Sequence, residues 1–196
     1  MANTLDDAGL DLIFREARTY NSYTDEPVSE DQLRAIWDLV KMGPTSANQS
    51  PARIIWCVSP ESKAKLAPLT SSTNANKVLN APVTAIIGMD MEFYEKLPRL
   101  LPHVDARLWF VGNQPLIDIS AIRNSTLQGA YFIIAARALG LDTGPMSGFD
   151  NAAVDAAFFA GTPVKSNFIS TLGYGDPSTI FGRSPRFDFE EVNSIA

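Results

Sequence analysis

The apolar positions along this chain change period several times, and each change marks a predicted element. Over residues 1–20, Leu5, Ala8, Leu12, Ile13 and Ala17 share one face with charges opposite, which predicts an amphipathic helix ending at Arg18-Thr-Tyr-Asn-Ser-Tyr23. Leu33, Ile36, Trp37 and Val40 repeat at i, i+3, i+4 and i+7. Ser29 and Gln32 form a capping-box pair ahead of this second helix, and Gly43-Pro44 stops it. Over residues 53–58 the run Ile54-Ile-Trp-Cys-Val58 is unbroken and reads as a strand covered on both faces; residues 83–89 repeat the pattern. Between them, Ser59-Pro60-Glu61 starts a short helix reaching about Leu69, residues 71–76 read as a polar turn, and residues 77–80 as one helical turn. The pattern loosens over residues 91–116, which read as a lid or a dimer-specific insertion. Residues 118–139 carry the longest helical pattern, apolar round most of its second half, and belong in the core, at a subunit interface, or both. Asp150 starts a helix over residues 151–159, residues 167–174 read as a third strand, and residues 184–189 alternate enough for an edge or exchanged strand. No repeat or linker divides the chain. Helices and strands mixed without βαβ alternation predict a single α+β domain over residues 1–196.

The stretch Leu139-Gly-Leu-Asp-Thr-Gly-Pro-Met-Ser-Gly-Phe149 reads as a loop leaving that long helix. Its glycines let the backbone run extended with N–H groups free to face a ligand, and Met146 supplies a soft apolar surface suited to a flat heteroaromatic cofactor. Ser147 lies in Gly-x-x-Ser-Gly, not the Gly-x-Ser-x-Gly of a hydrolase elbow, so a hydrolase is rejected. Gly173-Tyr-Gly175 lacks the third glycine of a dinucleotide fingerprint, with Pro177 and Ser178 following.

Sixteen basic residues against 22 acidic ones give a net charge of −6, with no basic run longer than a pair, which leaves no nucleic-acid footprint. Asp6 and Asp7 stand where a signal peptide would be positive, and no run of 18 apolar residues could span a bilayer, so a cytoplasmic protein is expected. Cys57, in its apolar run, reads as a buried inert thiol, and with His103 the only histidine there is no metal cluster to propose. Redox or transfer chemistry then has to come from a cofactor. Arg18 and Thr19, with Arg183 and Arg186 near the C-terminus, have the donors for a phosphate. Gly43-Pro44 and the following Thr45, Ser46 and Asn48 offer small polar groups in a turn, and Asn74 and Lys77, three apart, would share a helical face.

Taken in order, Arg18-Thr19, Pro44-Thr-Ser-Ala-Asn48, Asn74-x-x-Lys77, Gly144-Pro-Met-Ser-Gly-Phe149 and Arg183 resemble the flavin-binding segments of the nitroreductase family. Within it, Gly43-Pro-Thr-Ser-Ala-Asn48 with Ser50-Pro-Ala-Arg53, and residues 138–150, look like the RutE-type malonic semialdehyde reductases of pyrimidine catabolism. The resemblance covers essentially the whole chain. It implies a mostly antiparallel sheet flanked by helices, in an intertwined homodimer with FMN at the interface. Arg18, Thr19 and Arg183 would hold the phosphate, with Asn21 and Arg186 beside them. Asn74 and Lys77 would meet the pyrimidine edge, with Lys77 stabilising the charge of reduced flavin. Pro145, Met146, Ser147 and Gly148 would line the ring near N5, and Pro44, Thr45, Ser46 and Asn48 would come from the partner subunit. Asn21 stands at an often basic position, which bears on flavin affinity and potential; Ser147 at an often glutamate one and Gln49-Ser-Pro-Ala52 in place of the usual Gln-Pro-Trp point to a pocket unlike that of nitroaromatic reducers.

The activity implied is ping-pong hydride transfer from NADPH or NADH through flavin N5 to malonic semialdehyde, giving 3-hydroxypropanoate. A broad quinone or nitro-compound reductase, or a flavin-binding protein without turnover, are the alternatives. A substrate carboxylate in an acidic protein needs a cation, and Arg53 is the first candidate, followed by Arg107 and Arg123. The proton donor stays open among Tyr23, Tyr131, His103 and water.

Overall fold

The structure, a computed structural model, describes residues 4–196; the first three positions of the helix expected over residues 1–20 lie outside it. Four strands form one antiparallel sheet in the order β1-β2-β4-β3: β1 Ala52–Cys57, β2 Val83–Asp90, β3 Asp142–Met146 and β4 Val164–Gly173. The two unbroken apolar runs became β1 and β2, and β2 is buried along nearly its whole length. Successive side chains of β2 go to opposite faces, as the strand's period of two requires. Ala85 and Ile87 join the cluster built by α2 (Glu30–Val40) and α6 (Gln114–Ala138), and Ile86 joins the one built by α3 (Pro60–Leu66), α4 (Ser72–Asn80) and α7 (Asn151–Phe158). Helices thus cover both faces of the sheet.

The N-terminal helix is shorter than its pattern predicts. Asp6 caps α1 (Asp7–Leu10), which passes into a π-helical turn over Asp11–Arg15, and of the predicted apolar face only Ile13 is buried. The capping box of α2 is present as read, with the Ser29 N–H donating to Gln32 Oε1 at 2.9 Å.

Two expectations are corrected. Residues 142–146 are an edge strand, not a loop; proline is tolerated there because an edge leaves some N–H groups without a ladder partner. Residues 72–80 are helical throughout although they are mostly polar and lack a side-chain N-cap bond. Buried Val78 and Asn74 hold that helix through tertiary contacts, which outweigh weak propensity. Residues 91–116 have a core of their own, in which α5 (Leu97–Leu100) and flanking 3₁₀ turns bring Phe93, Leu97, Phe110 and Ile117 together. The Phe93 and Phe110 rings meet edge to face, 4.9 Å between centroids. The tail over residues 184–189 pairs with no strand among the described residues and leads to α8 (Phe189–Val192), its Phe187 left 74% exposed. No helix among the described residues is long and apolar enough to cross a membrane.

Candidate active site

The segment after the first helix is laid against the free edge of β3. Thr19 bridges Thr143, and the Tyr20 N–H donates to the Thr143 carbonyl at 3.1 Å. The C-terminal tail returns to the same place. The Arg18 guanidinium donates to the Phe181 carbonyl, and Arg183 donates to the Ala17 carbonyl at 3.1 Å. A groove of about 580 Å³ results, and Arg18, Thr19, Asn21, Arg183 and Arg186, scattered in sequence, all line it. Arg15 and Arg137 line it too, and neither was singled out from the sequence. Arg15 is paired with Asp7 and Asp11. Arg18, Arg137, Arg183 and Arg186 donate only to carbonyl oxygens, and none has a carboxylate within 4.0 Å among the described residues. Four uncompensated guanidiniums in one groove make a positive well on an acidic protein, the electrostatics an anion requires.

At the other end of β3 the chain meets α4. The Gly148 carbonyl accepts from the Ser71 N–H at 2.9 Å and from Asn74 Nδ2 at 3.1 Å. A methyl on Gly148 would lie 2.9 Å from Asn74 Nδ2 and 3.0 Å from Ser71 Oγ, so glycine is what lets the two segments close. Asn74 is buried; Lys77, one turn further, is half-buried, with no hydrogen bond or carboxylate partner among the described residues. Ser147 and Gly148 are exposed and line a cavity of about 470 Å³ with Thr70, Ser71 and Phe149, while Met146 and Pro145 continue back along the strand. The strand spans about 13 Å of extended chain. It joins a cationic end to an end where α4 docks through Asn74, with Lys77 one turn further along that helix.

Pro44, Thr45, Ser46 and Asn48 are not brought to β3 within one chain. Their loop is tied to α6 and α5. The Ser46 N–H donates to Asn124 Oδ1 at 2.8 Å, Asn124 Nδ2 donates to Gln49 Oε1 at 2.9 Å, and Asn48 Nδ2 donates to the Leu100 carbonyl at 2.7 Å. Ala47, Asn48 and Ser50 have φ of 50°, 51° and 42°, left-handed values that non-glycine residues adopt only when the surroundings impose them. The residues that impose them, Asn124 and Gln128, were missed from the sequence. Ser120, Asn124 and Gln128 repeat every four positions in an apolar helix, a buried polar stripe the spacing could have revealed.

The three substrate arginines are divided. Arg53 Nη2 meets Asp90 Oδ2 at 2.6 Å, and Nη1 donates to the Ser50 and Ala52 carbonyls. Arg107 makes a two-bond pair with Glu95, at 2.7 and 2.8 Å, which holds the Glu95 carboxyl below its ordinary range. Arg123 is exposed on α6 with no such partner among the described residues. Of the candidate proton donors, Tyr131 donates to the Pro44 carbonyl at 2.8 Å. Tyr23 lies 2.7 Å from Thr171 Oγ1, and burial pushes its hydroxyl well above the usual tyrosine value. His103 is exposed. Burial pushes the Cys57 thiol up to about 11, an inert group as expected.

Comparison with known proteins gives one family: the model described as "Nitroreductase family" matches residues 14–175. A protein of Burkholderia lata, provisionally named NADH dehydrogenase/NAD(P)H nitroreductase, is 60% identical over 192 residues, 98% of each chain. A protein of Stenotrophomonas maltophilia with the same kind of name is 58% identical over 196 residues, the whole of each. Among solved structures, a nitroreductase of Exiguobacterium sibiricum described in complex with FMN superposes with a TM-score of 0.85 at 21% identity, covering all of both chains.

Proposed function

The chain belongs to the nitroreductase family, and on that premise we propose that it is an FMN-dependent NAD(P)H oxidoreductase whose acceptor is malonic semialdehyde, reduced to 3-hydroxypropanoate. The observation that carries the cofactor reading is the pairing, along one strand, of a groove with four uncompensated arginines and an amide-and-ammonium face on α4. FMN, when bound, supplies a two-electron hydride relay between NADPH or NADH and the acceptor. The residues fit such a group chemically. Arg18, Thr19 and Arg183 offer charge-assisted donors to a phosphate dianion, with Asn21 and Arg186 lining the same groove. Asn74 spends its amide N–H₂ on Gly148 and keeps Oδ1 as an acceptor for a ring N–H, while Lys77 carries a positive charge toward the anionic edge of a reduced ring. Pro145 and Met146 furnish an apolar surface, and Ser147 and Gly148 stand exposed beside it. Pro44, Thr45, Ser46 and Asn48, held apart from β3 by α6, are read as the contribution of a second copy in a homodimer.

For the acceptor, Arg123 is the substrate cation and Arg53 and Arg107 are not, because both already face carboxylates. The new alkoxide takes its proton from His103 or water, since Tyr23 and Tyr131 are held by other partners. The same two ion pairs favour a second reading, a reductase of uncharged nitro compounds or quinones, which needs no substrate arginine. Protein bleached anaerobically with NADPH and mixed separately with malonic semialdehyde and a nitroaromatic distinguishes the two. The proposal expects kcat/KM for the semialdehyde to exceed that for the nitroaromatic at least tenfold; the reverse order establishes the second reading. Protein that bleaches but regains colour with neither acceptor overturns both.

A further inference from the structure

Arg137 belongs to the last turn of α6, outside every segment assigned to the cofactor above. Its Nη1 donates to the Ile13 carbonyl at 3.0 Å, inside the π-helical turn, and its Nε is buried with no partner among the described residues. Asp142 is close enough to influence it, yet that carboxylate accepts from the Gly175 N–H at 2.9 Å and makes no ion pair with it. Desolvation pulls the guanidinium's proton affinity below the usual arginine value. A half-buried cation with an orphaned donor and no ion-pair partner within 4.0 Å among the described residues is unfavourable in a folded chain unless something outside the chain supplies the charge. The groove that Arg137 lines together with Arg18 and Arg183 opens it to such a group.

We infer that Arg137 is a phosphate-positioning residue, the interior cation of this groove, selecting an organic monophosphate dianion over its uncharged dephosphorylated counterpart. This rests on the FMN reading above and adds a residue to it. A role confined to holding the Ile13 carbonyl would need one neutral donor, and it would explain neither the charge nor the second terminal nitrogen. Nη2 makes no hydrogen bond among the described residues and, unlike Nε, is not buried, so it is the donor the groove can reach.

The test uses full-length protein stripped of flavin and refilled. Affinities for FMN and riboflavin are read from flavin fluorescence in wild type, Arg137→Gln and Arg137→Lys, alongside the Tm of each flavin-free protein. The inference expects Arg137→Gln to lose FMN affinity about 10- to 100-fold, riboflavin affinity to change less than about twofold, Arg137→Lys to fall between, and the flavin-free Tm to hold or rise. Inorganic phosphate should compete with FMN in wild type and more weakly in Arg137→Gln. Equal losses for FMN and riboflavin, or a lower flavin-free Tm with an unchanged FMN-to-riboflavin ratio in both variants, overturn it in favour of a purely structural arginine. If wild type itself does not prefer FMN to riboflavin, the phosphate reading of the groove fails and takes Arg137 with it; if wild type prefers FMN and both variants keep that preference, Arg137 alone is excluded.

Discussion

Arg53 shows how a residue type that suits one task can be consumed by another. Its guanidinium binds the Asp90 carboxylate, whose side chain is only 6% exposed, and the Ser50 carbonyl, which belongs to a residue held at φ 42°. The side chain therefore clasps the strained loop over residues 44–50 to the edge of the sheet. Removing it leaves Asp90 a buried charge without its partner and frees the loop. Arg53→Ala is expected to destabilise the protein by about 1.5–3 kcal/mol, seen as a lower urea midpoint with the slope unchanged, while KM for a carboxylated acceptor stays within twofold. The double variant with Asp90→Asn should recover part of the loss, because the orphaned charge goes with it. An unchanged midpoint together with a raised KM would return Arg53 to the substrate pocket. From sequence alone this could not be decided: Asp90 lies 37 positions away, and only the antiparallel register of β1 and β2 brings it alongside.

Among the elements, β3 has the largest influence on the site, and its composition hides it. Gly144 and Pro145 are poor strand formers, and the segment is a strand only because β4 pairs with one side and the Thr19 bridge touches the other. Gly144 is required by that second contact. A methyl there would lie 2.4 Å from Thr171 Oγ1 and 2.5 Å from the Tyr20 carbonyl, which is backbone and cannot rotate away. Gly144→Ala is therefore expected to cost about 1–3 kcal/mol in thermal unfolding. It should also lower retained flavin, because Arg18 and Thr19 ride on the displaced segment; full flavin content at wild-type Tm would show the bridge to be dispensable. What was legible follows from this contrast. β1, β2 and α2 carry their own signals in apolar runs and a capping box, and Arg18, Thr19, Asn74 and Arg183 were found as residue types in a family order. β3 and α4 are specified by partners far along the chain, and the 91–116 segment by contacts within itself and the start of α6 that follow no regular period. The same is true of Arg137 and Asn124, whose duties appear only when another segment arrives beside them.

On the scale of the molecule, one chain leaves two things unfinished. The loop carrying Pro44, Ser46 and Asn48 sits against α6, away from β3, while α6 exposes Ile119, Ile122 and Leu127 and the tail exposes Phe181 and Ile195, at 80% and 91%. Apolar surface on this scale, beside a strained polar loop with no substrate of its own, is what a second copy would cover. In a two-fold pairing the same patch meets itself, so one introduced charge appears twice and repels its image. Ile122 is 48% exposed in the single chain, and replacing it should leave the chain's own fold intact. Ile122→Glu is thus expected to halve the mass seen in sedimentation, from twice 21.3 kDa to once, and to release flavin, with the circular dichroism of the folded chain preserved. A protein that stays at double mass and keeps its flavin would move the interface off α6 and require some other surface to bring residues 44–48 to the groove along β3.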